Sequence, residues 1–358
     1  MFVQSLYLKN FRNFEQASVY FSPKVNLIYG DNAQGKTNLI EALYFLSTGR
    51  SFRTHHISEM IRQGEKGFYL ETYFIKEGIE QRLSISFDGD TRKIQYNNTS
   101  YPSFTSLLGI LPTVLYAPSD ISLISGMPAE RRRFFDLHLA QIDPLYVYHL
   151  MRYHKAVKQR NCLLRQRKEA LLHPWEHIMS HSGHYLSQRR MTTLKNFPTI
   201  LSQAMHDLSD NKECLELSYE ASFEISSGTA GILKQIEKHR SKELQIGQSL
   251  IGPHKDDLLL TLDGKKAKVF SSEGQKRCSI AAIKMTEWHH LQHNINEAPL
   301  LIIDDFNIHL DAERTKRLGG KLQTFGQVFL TSPSSMFLQE EQNLLYVKEG
   351  NVIPHSRA

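Results

Sequence analysis

The chain has 358 residues, 41% of them hydrophobic and 22% charged, with a formal net charge of +6. That length supports about two domains of ordinary size, and the composition excludes a disordered, collagen-like or bilayer-embedded chain. The positive balance mildly favours an anionic partner, although a solvated basic surface accounts for it more simply, and the three cysteines (Cys162, Cys214, Cys278) stand far apart with no CxxC, which excludes a disulfide framework and a zinc hook.

The first residues, MFVQSLYLKNFRNF, lack a basic region followed by an apolar one, so no signal peptide is expected. No apolar run approaches the ~18 residues that span a bilayer. A reducing, cytoplasmic location without a membrane partner is the expectation. Residues 2–8 and 16–21 alternate and are rich in aromatic and β-branched side chains, as strands are. Lys9 to Phe14 form a polar turn between them. The run VNLIY at 25–29 ends at Gly30 and reads as a buried strand, and TNLIEALYFLS places Leu39, Ile40, Leu43 and Leu46 at helical spacing. Residues 68–100 alternate again, a meander ending near Asn97-Asn98. From 129 to 210 helical periods dominate, with Val147, Leu150, His154, Val157, Asn161 and Leu164 on one stripe. Neither long helical segment keeps strict heptads, so packed helices are expected rather than a coiled coil. Strand texture returns at 215–225 and at DLLLTLDG, a helix follows over about 274–292, and PLLIIDD occupies 299–305.

Between the strand at 25–29 and the next helix lies Gly30-Asp31-Asn32-Ala33-Gln34-Gly35-Lys36-Thr37, a full match to GxxxxGK[ST] in the strand–loop–helix setting that the motif requires. Its glycines let backbone N–H groups wrap a phosphate, and the helix N-terminus adds partial positive charge. Lys36 is placed to reach the β- and γ-phosphates of ATP, Thr37 to ligate Mg²⁺, and Asn38 completes the nucleotide-binding positions of this segment. Leu300 to Ile303 reads as a buried parallel strand, with Asp304 at its end to hold the Mg²⁺ and Asp305 to orient or deprotonate the attacking water. Ser272-Glu273-Gly274-Gln275 opens a helix, a setting that can place a hydroxyl and backbone N–H groups against a phosphate; by itself it reads equally as a plain N-cap, and it gains force by preceding the strand at 300–303.

Together these residues resemble the ABC-type ATPase heads of the SMC and RecF group. LKNFRNF, GDNAQGKT, GRSFRT at 49–54, SGMPAERRRFFD at 125–136, GPHKDDL at 252–258 and SSEGQKR at 271–277 are similar to the RecF family of bacterial recombination mediators, from residue 2 to about 350. The resemblance implies an α/β P-loop head of ABC type, a mixed sheet with flanking helices. That head is expected at 1–100 and 250–358, with a mainly helical arm domain inserted over 101–249. It implies that the phosphate loop of one copy faces Ser272, Gly274 and Gln275 of another, so that ATP closes a homodimer and slow hydrolysis opens it. It further implies a clamp on duplex DNA beside single-stranded gaps, acting with RecO and RecR to help load RecA. Asn307-Ile308-His309 departs from the family pattern before Leu310-Asp311, and Thr331 stands near the place where many ABC proteins carry a switch histidine.

For DNA, phosphate neutralisation needs rows of cations. Arg131, Arg132 and Arg133 form one candidate row, and Arg152, Lys155, Lys158, Arg160, Arg165, Arg167 and Lys168 another. Arg131 to Arg133 read equally as structural, and His254 as a hydrogen-bonded core residue rather than a contact to nucleotide or DNA. The alternatives left open are a phosphotransferase acting on a small substrate and a structural head that binds ATP without hydrolysing it. A GTP switch is disfavoured, because Asn211-Lys212-Glu213-Cys214 lacks the Asp of NKxD.

Overall fold

The computed structural model describes residues 1–209, 213–306, 312–334 and 343–354. It divides into two compact units, one of residues 1–120, 207–210 and 273–358, the other of 121–206 and 211–272. The divisions at Asp120 and Ser272 stand where the sequence suggested 100 and 249. The first unit therefore takes in the strand at 113–116, and the second takes in GPHKDDL.

In chain order the first unit contains β1 (Phe2–Phe11), β2 (Phe14–Tyr20), β3 (Val25–Tyr29), α1 (Lys36–Thr48), β4 (Phe68–Lys76), β5 (Ile79–Phe87), β6 (Arg92–Tyr96), β7 (Thr99–Tyr101) and β8 (Thr113–Tyr116). The second contains α2 (Ser122–Ser125), α3 (Pro128–Ile142), α4 (Pro144–Arg165), α5 (His173–Ser209), β9 (Leu215–Glu220), α6 (Gly228–Ile246), β10 (Asp257–Leu262), β11 (Lys265–Lys266) and α7 (Ala267–Phe270); the last residues of α5 group with the first unit. The first unit resumes with α8 (Glu273–Ile295), β12 (Leu300–Ile303), α9 (Ala312–Lys321), β13 (Val328–Ser332), β14 (Asn343–Lys348) and β15 (Asn351–Pro354).

Two six-stranded sheets build the first unit. One is an antiparallel meander in the order β2-β1-β4-β5-β6-β7, in which Asn97, at a positive φ of 51°, turns β6 into β7 rather than ending the meander. The other has the order β15-β14-β3-β13-β12-β8 and is parallel except for β15. Leu300 to Ile303 are buried throughout, the continuous apolar run expected of a strand covered on both faces. Helix α1 is buried along most of its length from Leu39 to Thr48. Phe45 of this helix meets Phe68 edge to face at 5.9 Å, and Phe68 meets Phe11 at 5.4 Å, so the aromatic core joins the helix to the meander.

The order β3-β13-β12 positions the site. Parallel strands deliver their C-terminal ends to one edge, where crevices between connecting loops bind ligands. Thr331 on β13 pairs in register with Ile28 on β3, and Leu330 with Ile303 on β12. The loop after β3 and the carboxylates after β12 therefore flank the end of β13.

The second unit has its own core, which includes Phe135, Leu139, Tyr146, Tyr153, Leu186, Phe197 and Ile232. On α4 the buried residues are Tyr146, Val147, Tyr153, Ala156, Val157, Arg160 and Leu164. Tyr153 thus takes the inward place that the sequence stripe gave to His154.

Candidate nucleotide-binding site

The loop between β3 and α1 is held open by backbone that only glycine tolerates. Gly30 has φ 147°, and a Cβ there would lie 2.3 Å from the Val347 carbonyl oxygen; Gly35 has φ 119°, and a Cβ would lie 2.7 Å from the Asn13 side chain. Three partners pin the loop from outside. Asn13 Nδ2 donates to the Gln34 carbonyl oxygen at 2.8 Å, Gly350 N donates to the same oxygen at 3.1 Å, and Glu349 N donates to Gln34 Oε1 at 2.8 Å. Asn38 Nδ2 donates to Asn13 Oδ1 at 2.7 Å, tying the first turn of α1 to the same turn. No side chain caps the N-terminus of α1. Its first N–H groups, with the helix dipole behind them, face the bowl of the loop, an arrangement suited to an anion.

Lys36 Nζ lies in that bowl, 2.7 Å from the carbonyl oxygens of Gly30 and Asp31. Burial pulls its pKa below the usual lysine value, while Asp305, Asp304 and Asp31 act against that shift. Thr37 Oγ1 donates to Asp304 Oδ1 at 3.0 Å. Thr331 Oγ1 donates to the same oxygen at 2.8 Å and accepts from Asp305 N at 2.7 Å. Burial raises the Asp304 pKa, the neighbouring Asp305 adds to the rise, and the hydroxyls of Thr331 and Thr37 oppose it. Asp305 has the left-handed φ of 53°, a strained backbone for a non-glycine residue. Its N–H bond to Thr331 braces it there.

Among the described residues there is no cluster of three or more His, Cys, Asp or Glu side chains able to hold a metal. Thr37 and Asp304 instead offer two oxygens 3.0 Å apart beside a phosphate cradle. That donor set fits Mg²⁺, which favours oxygen ligands and completes its shell with phosphate and water. The residues present therefore fit both a nucleoside triphosphate and its cation.

Of the other sequence-predicted positions, Ser272 precedes α8, and Gly274 and Gln275 lie in its first turn; Ser272 and Gly274 are exposed. They form the start of that helix. The segment Asn307 to Asp311 lies outside the described residues.

The description "RecF/RecN/SMC N terminal domain" fits residues 2–353 of the chain. Over 343 residues the chain is 43% identical to the DNA replication and repair protein RecF of Protochlamydia amoebophila (strain UWE25), an overlap covering 94% of this chain and 96% of that protein. The chain belongs to the RecF family. It is also 33% identical over 372 residues to the RecF of Symbiobacterium thermophilum, covering 100% and 99% of the two chains. A solved structure of the recombination mediator protein RecF-ATP in the RecFOR pathway matches with a TM-score of 0.91 at 29% identity, covering 99% of this chain and 98% of that one. An SmcHead bound to the C-winged helix domain of ScpA shares the fold at 16% identity and a TM-score of 0.57. The architecture is that of an ABC-type ATPase head with a helical portion.

Two of the stretches that carry the RecF resemblance, LKNFRNF and GRSFRT, converge on Glu41 of α1. This fully buried carboxylate accepts from Arg12 Nε at 2.9 Å, Arg12 Nη2 at 2.6 Å, Ser51 Oγ at 2.5 Å and Arg53 Nη1 at 3.2 Å. Arg53 Nη1 also donates to Asn38 Oδ1 at 2.5 Å. A buried carboxylate is tolerated only with such donors, and here they anchor the first turns of α1 beside Thr37. The sequence signal for this cluster was a Glu inside an otherwise apolar helix, which helical periodicity alone passes over.

The candidate DNA residues separate into two groups. Arg131 is buried and forks onto Asp257, with Nε to Oδ1 at 2.8 Å and Nη2 to Oδ2 at 2.9 Å. Arg132 Nη1 donates to the Asp256 carbonyl oxygen at 2.7 Å. Arg160 is fully buried between Glu176 and Glu243, at 2.9 and 2.6 Å. Arg131 and Arg160 hold the second unit together, their guanidinium groups committed to buried or partly buried carboxylates, while Arg132 is half-buried with one donor on a backbone oxygen. Arg133, Arg152, Lys155, Lys158, Arg165, Arg167 and Lys168 are exposed. His254 is half-buried and hydrogen-bonded inside the second unit, to Tyr153 at 2.7 Å through Nδ1 and to the Ser249 carbonyl oxygen at 3.1 Å through Nε2. Burial drives its pKa down to about 4.

No helix among the described residues is long and apolar enough to cross a membrane.

Proposed function

We propose that the chain binds ATP with Mg²⁺ at the loop Gly30–Thr37 and works as an ATP-closed homodimeric clamp on DNA. The unit holding this loop is read as the head and the other as the arm. The single observation that carries the nucleotide assignment is the meeting of Thr37 Oγ1 and Asp304 Oδ1 at 3.0 Å, beside a loop whose path only glycine at positions 30 and 35 allows.

Lys36 neutralises the outer phosphates, and the α1 N–H groups donate to them. Thr37 and Asp304 supply oxygen ligands to the cation, which when bound offsets charge on the phosphate oxygens. Asp305, braced by Thr331, orients the attacking water and takes its proton. Ser272, Gly274 and Gln275 of a second copy complete the site from the far side of the phosphates, so turnover requires two copies and is slow. Exposed cations of the arm, Arg133, Arg152 and Lys155 among them, contact the backbone of duplex DNA at a junction with a single-stranded gap, without reading sequence. Family membership, together with relatives described as DNA replication and repair proteins and as a mediator in the RecFOR pathway, supports action with RecO and RecR to help load RecA.

The test is equilibrium binding of labelled ATP, with and without Mg²⁺, to the wild type and to Lys36→Ala, followed by binding of gapped DNA in each state. Mg²⁺-dependent ATP binding that Lys36→Ala abolishes, with DNA binding strengthened by ATP, is the expected result. ATP binding indifferent to Lys36→Ala overturns the site assignment, and DNA binding indifferent to ATP overturns the clamp.

A further inference from the structure

Asp120 closes the first stretch of the first unit, and α8 opens its last. Inside that unit one ammonium joins the two. Lys284 Nζ on α8 lies 3.5 Å from Asp120 Oδ1, in the turn after β8, and 3.5 Å from Glu287 Oε2, one turn along the helix. Lys284 and Glu287 are buried and Asp120 is partly so. Asp120 Oδ2 accepts from Ala117 N at 2.8 Å, which fixes this carboxylate at the end of β8. Nearer the start of α8, Tyr116 Oη on β8 donates to the Arg277 carbonyl oxygen at 3.3 Å. These contacts seat α8 against the end of β8, with Gly274 and Gln275 in the first turn of the helix.

Two carboxylates therefore share one ammonium, and 3.5 Å is longer than the ~2.7–2.9 Å of a tight charge-assisted bond. Fully ionised, the three groups sum to one negative charge in a place with little water. Such a site favours the neutral form of one carboxyl. Glu287 is the deeper of the two, with its side chain 5% exposed against 18% for Asp120. Burial pushes its pKa up to about 7, with Lys284 opposing the rise and Asp120 adding to it. Burial also works against the Lys284 ammonium, but Asp120 and Glu287 outweigh it and raise the lysine pKa. Around the cluster, Tyr44 of α1 faces Lys284, Tyr116 and Cys278 lie toward Asp120, and buried His290 follows one turn beyond Glu287. His289 lies toward Lys321 and Asp207 instead.

We propose that Lys284, Glu287 and Asp120 form a proton-sensitive seat for α8, in which a neutral Glu287 holds the helix where Gly274 and Gln275 can meet a second copy. The inference rests on the clamp reading above and adds its regulation. Glu287 is a positioning residue, acting through α8 rather than on the nucleotide. When its proton leaves to water, two carboxylates face one ammonium in a dry site and the seat loosens. The folded chain holds this proton more tightly than the unfolded one. The contribution is therefore complete below about pH 4.5 and is lost as pH rises through 7.

The test compares the wild type, Glu287→Gln and Asp120→Asn at pH 6.0 and 8.0. It measures solution mass over a protein concentration series with ATP and Mg²⁺, and denaturant unfolding without nucleotide. Gln keeps the shape of the protonated carboxyl and cannot ionise. Asn removes the carboxylate that crowds Glu287 and leaves Lys284 to serve it alone. From pH 6.0 to 8.0 the wild-type folding constant, taken relative to Glu287→Gln, is expected to fall about tenfold. ATP-driven association is expected to weaken by at least about tenfold, because each copy brings one seat. Asp120→Asn is expected to follow Glu287→Gln in both measurements. A wild-type folding constant that changes with pH as that of either variant does overturns the proton seat. A shift in folding without a shift in association overturns the link to the start of α8 and leaves the clamp reading standing. A wild type that binds ATP and stays monomeric at both pH values overturns the clamp reading and that link with it, while the unfolding comparison still decides the proton seat.

Discussion

Thr331 is the sharpest place to perturb the nucleotide site. Fully buried at the end of β13, its hydroxyl donates to Asp304 and accepts from the Asp305 N–H. Valine keeps the shape and removes both bonds. A hydrogen bond to a carboxylate contributes about 1.5–3 kcal/mol and a neutral one about 1 kcal/mol, so Thr331→Val costs roughly 2.5–4 kcal/mol within the site. If half of that falls on the placement of Asp305, ATP turnover drops roughly ten- to thirtyfold. The same change removes a donor that holds the Asp304 pKa down, so more Mg²⁺ is needed for half-maximal rate. Single-turnover hydrolysis across a Mg²⁺ series, with thermal unfolding in parallel, reads both effects. Thr331→Ser keeps the hydroxyl and is expected to stay near wild type. A Thr331→Val protein that hydrolyses ATP at the wild-type rate with the wild-type Mg²⁺ requirement refutes the bracing role.

Other substitutions separate the structural cations from the exposed ones proposed to contact DNA. Arg160→Met leaves Glu176 and Glu243 buried without their shared partner, and denaturant unfolding is expected to show a loss of about 3–5 kcal/mol. Arg133→Gln changes an exposed cation: stability stays within about 0.5 kcal/mol, and the salt slope of DNA binding falls by about 0.9. Arg131→Gln breaks the fork onto Asp257, so it is expected to lower stability in the same assays. Because His254 is held near pH 4 when folded and rises toward its ordinary value when unfolded, the folded state binds fewer protons over that interval. Its contribution is complete above about pH 6.5 and is lost as pH falls toward 4, up to about 3 kcal/mol. His254→Gln is expected to flatten that part of the acid dependence in unfolding measured at pH 7.5 and 4.5.

The phosphate loop was legible because its chemistry is local. Eight consecutive residues specify a turn, a cation and a hydroxyl, and the flanking VNLIY and apolar helix set them between strand and helix. Leu300 to Asp305 was legible for the same reason. What sequence did not reveal is joined across long separations. Thr331 reaches Asp304 across 27 residues, Asn13 reaches the loop from the β1–β2 turn, and Glu41 gathers donors from positions 12, 51 and 53. The cations show the limit of counting charges. Arg131, Arg152 and Arg160 look alike in sequence, yet carboxylates from β10, α5 and α6 claim Arg131 and Arg160 and leave Arg152 in solvent.

In the proposed clamp, ATP joins the phosphate loop of one copy to Ser272 of another. Its most direct test is solution mass by light scattering with and without ATP and Mg²⁺, on the wild type and on Ser272→Arg, with ATP binding measured on both. The wild type is expected to double in mass with ATP, and the Ser272→Arg protein to bind ATP and stay monomeric. A wild type that binds ATP and remains a monomer contradicts it.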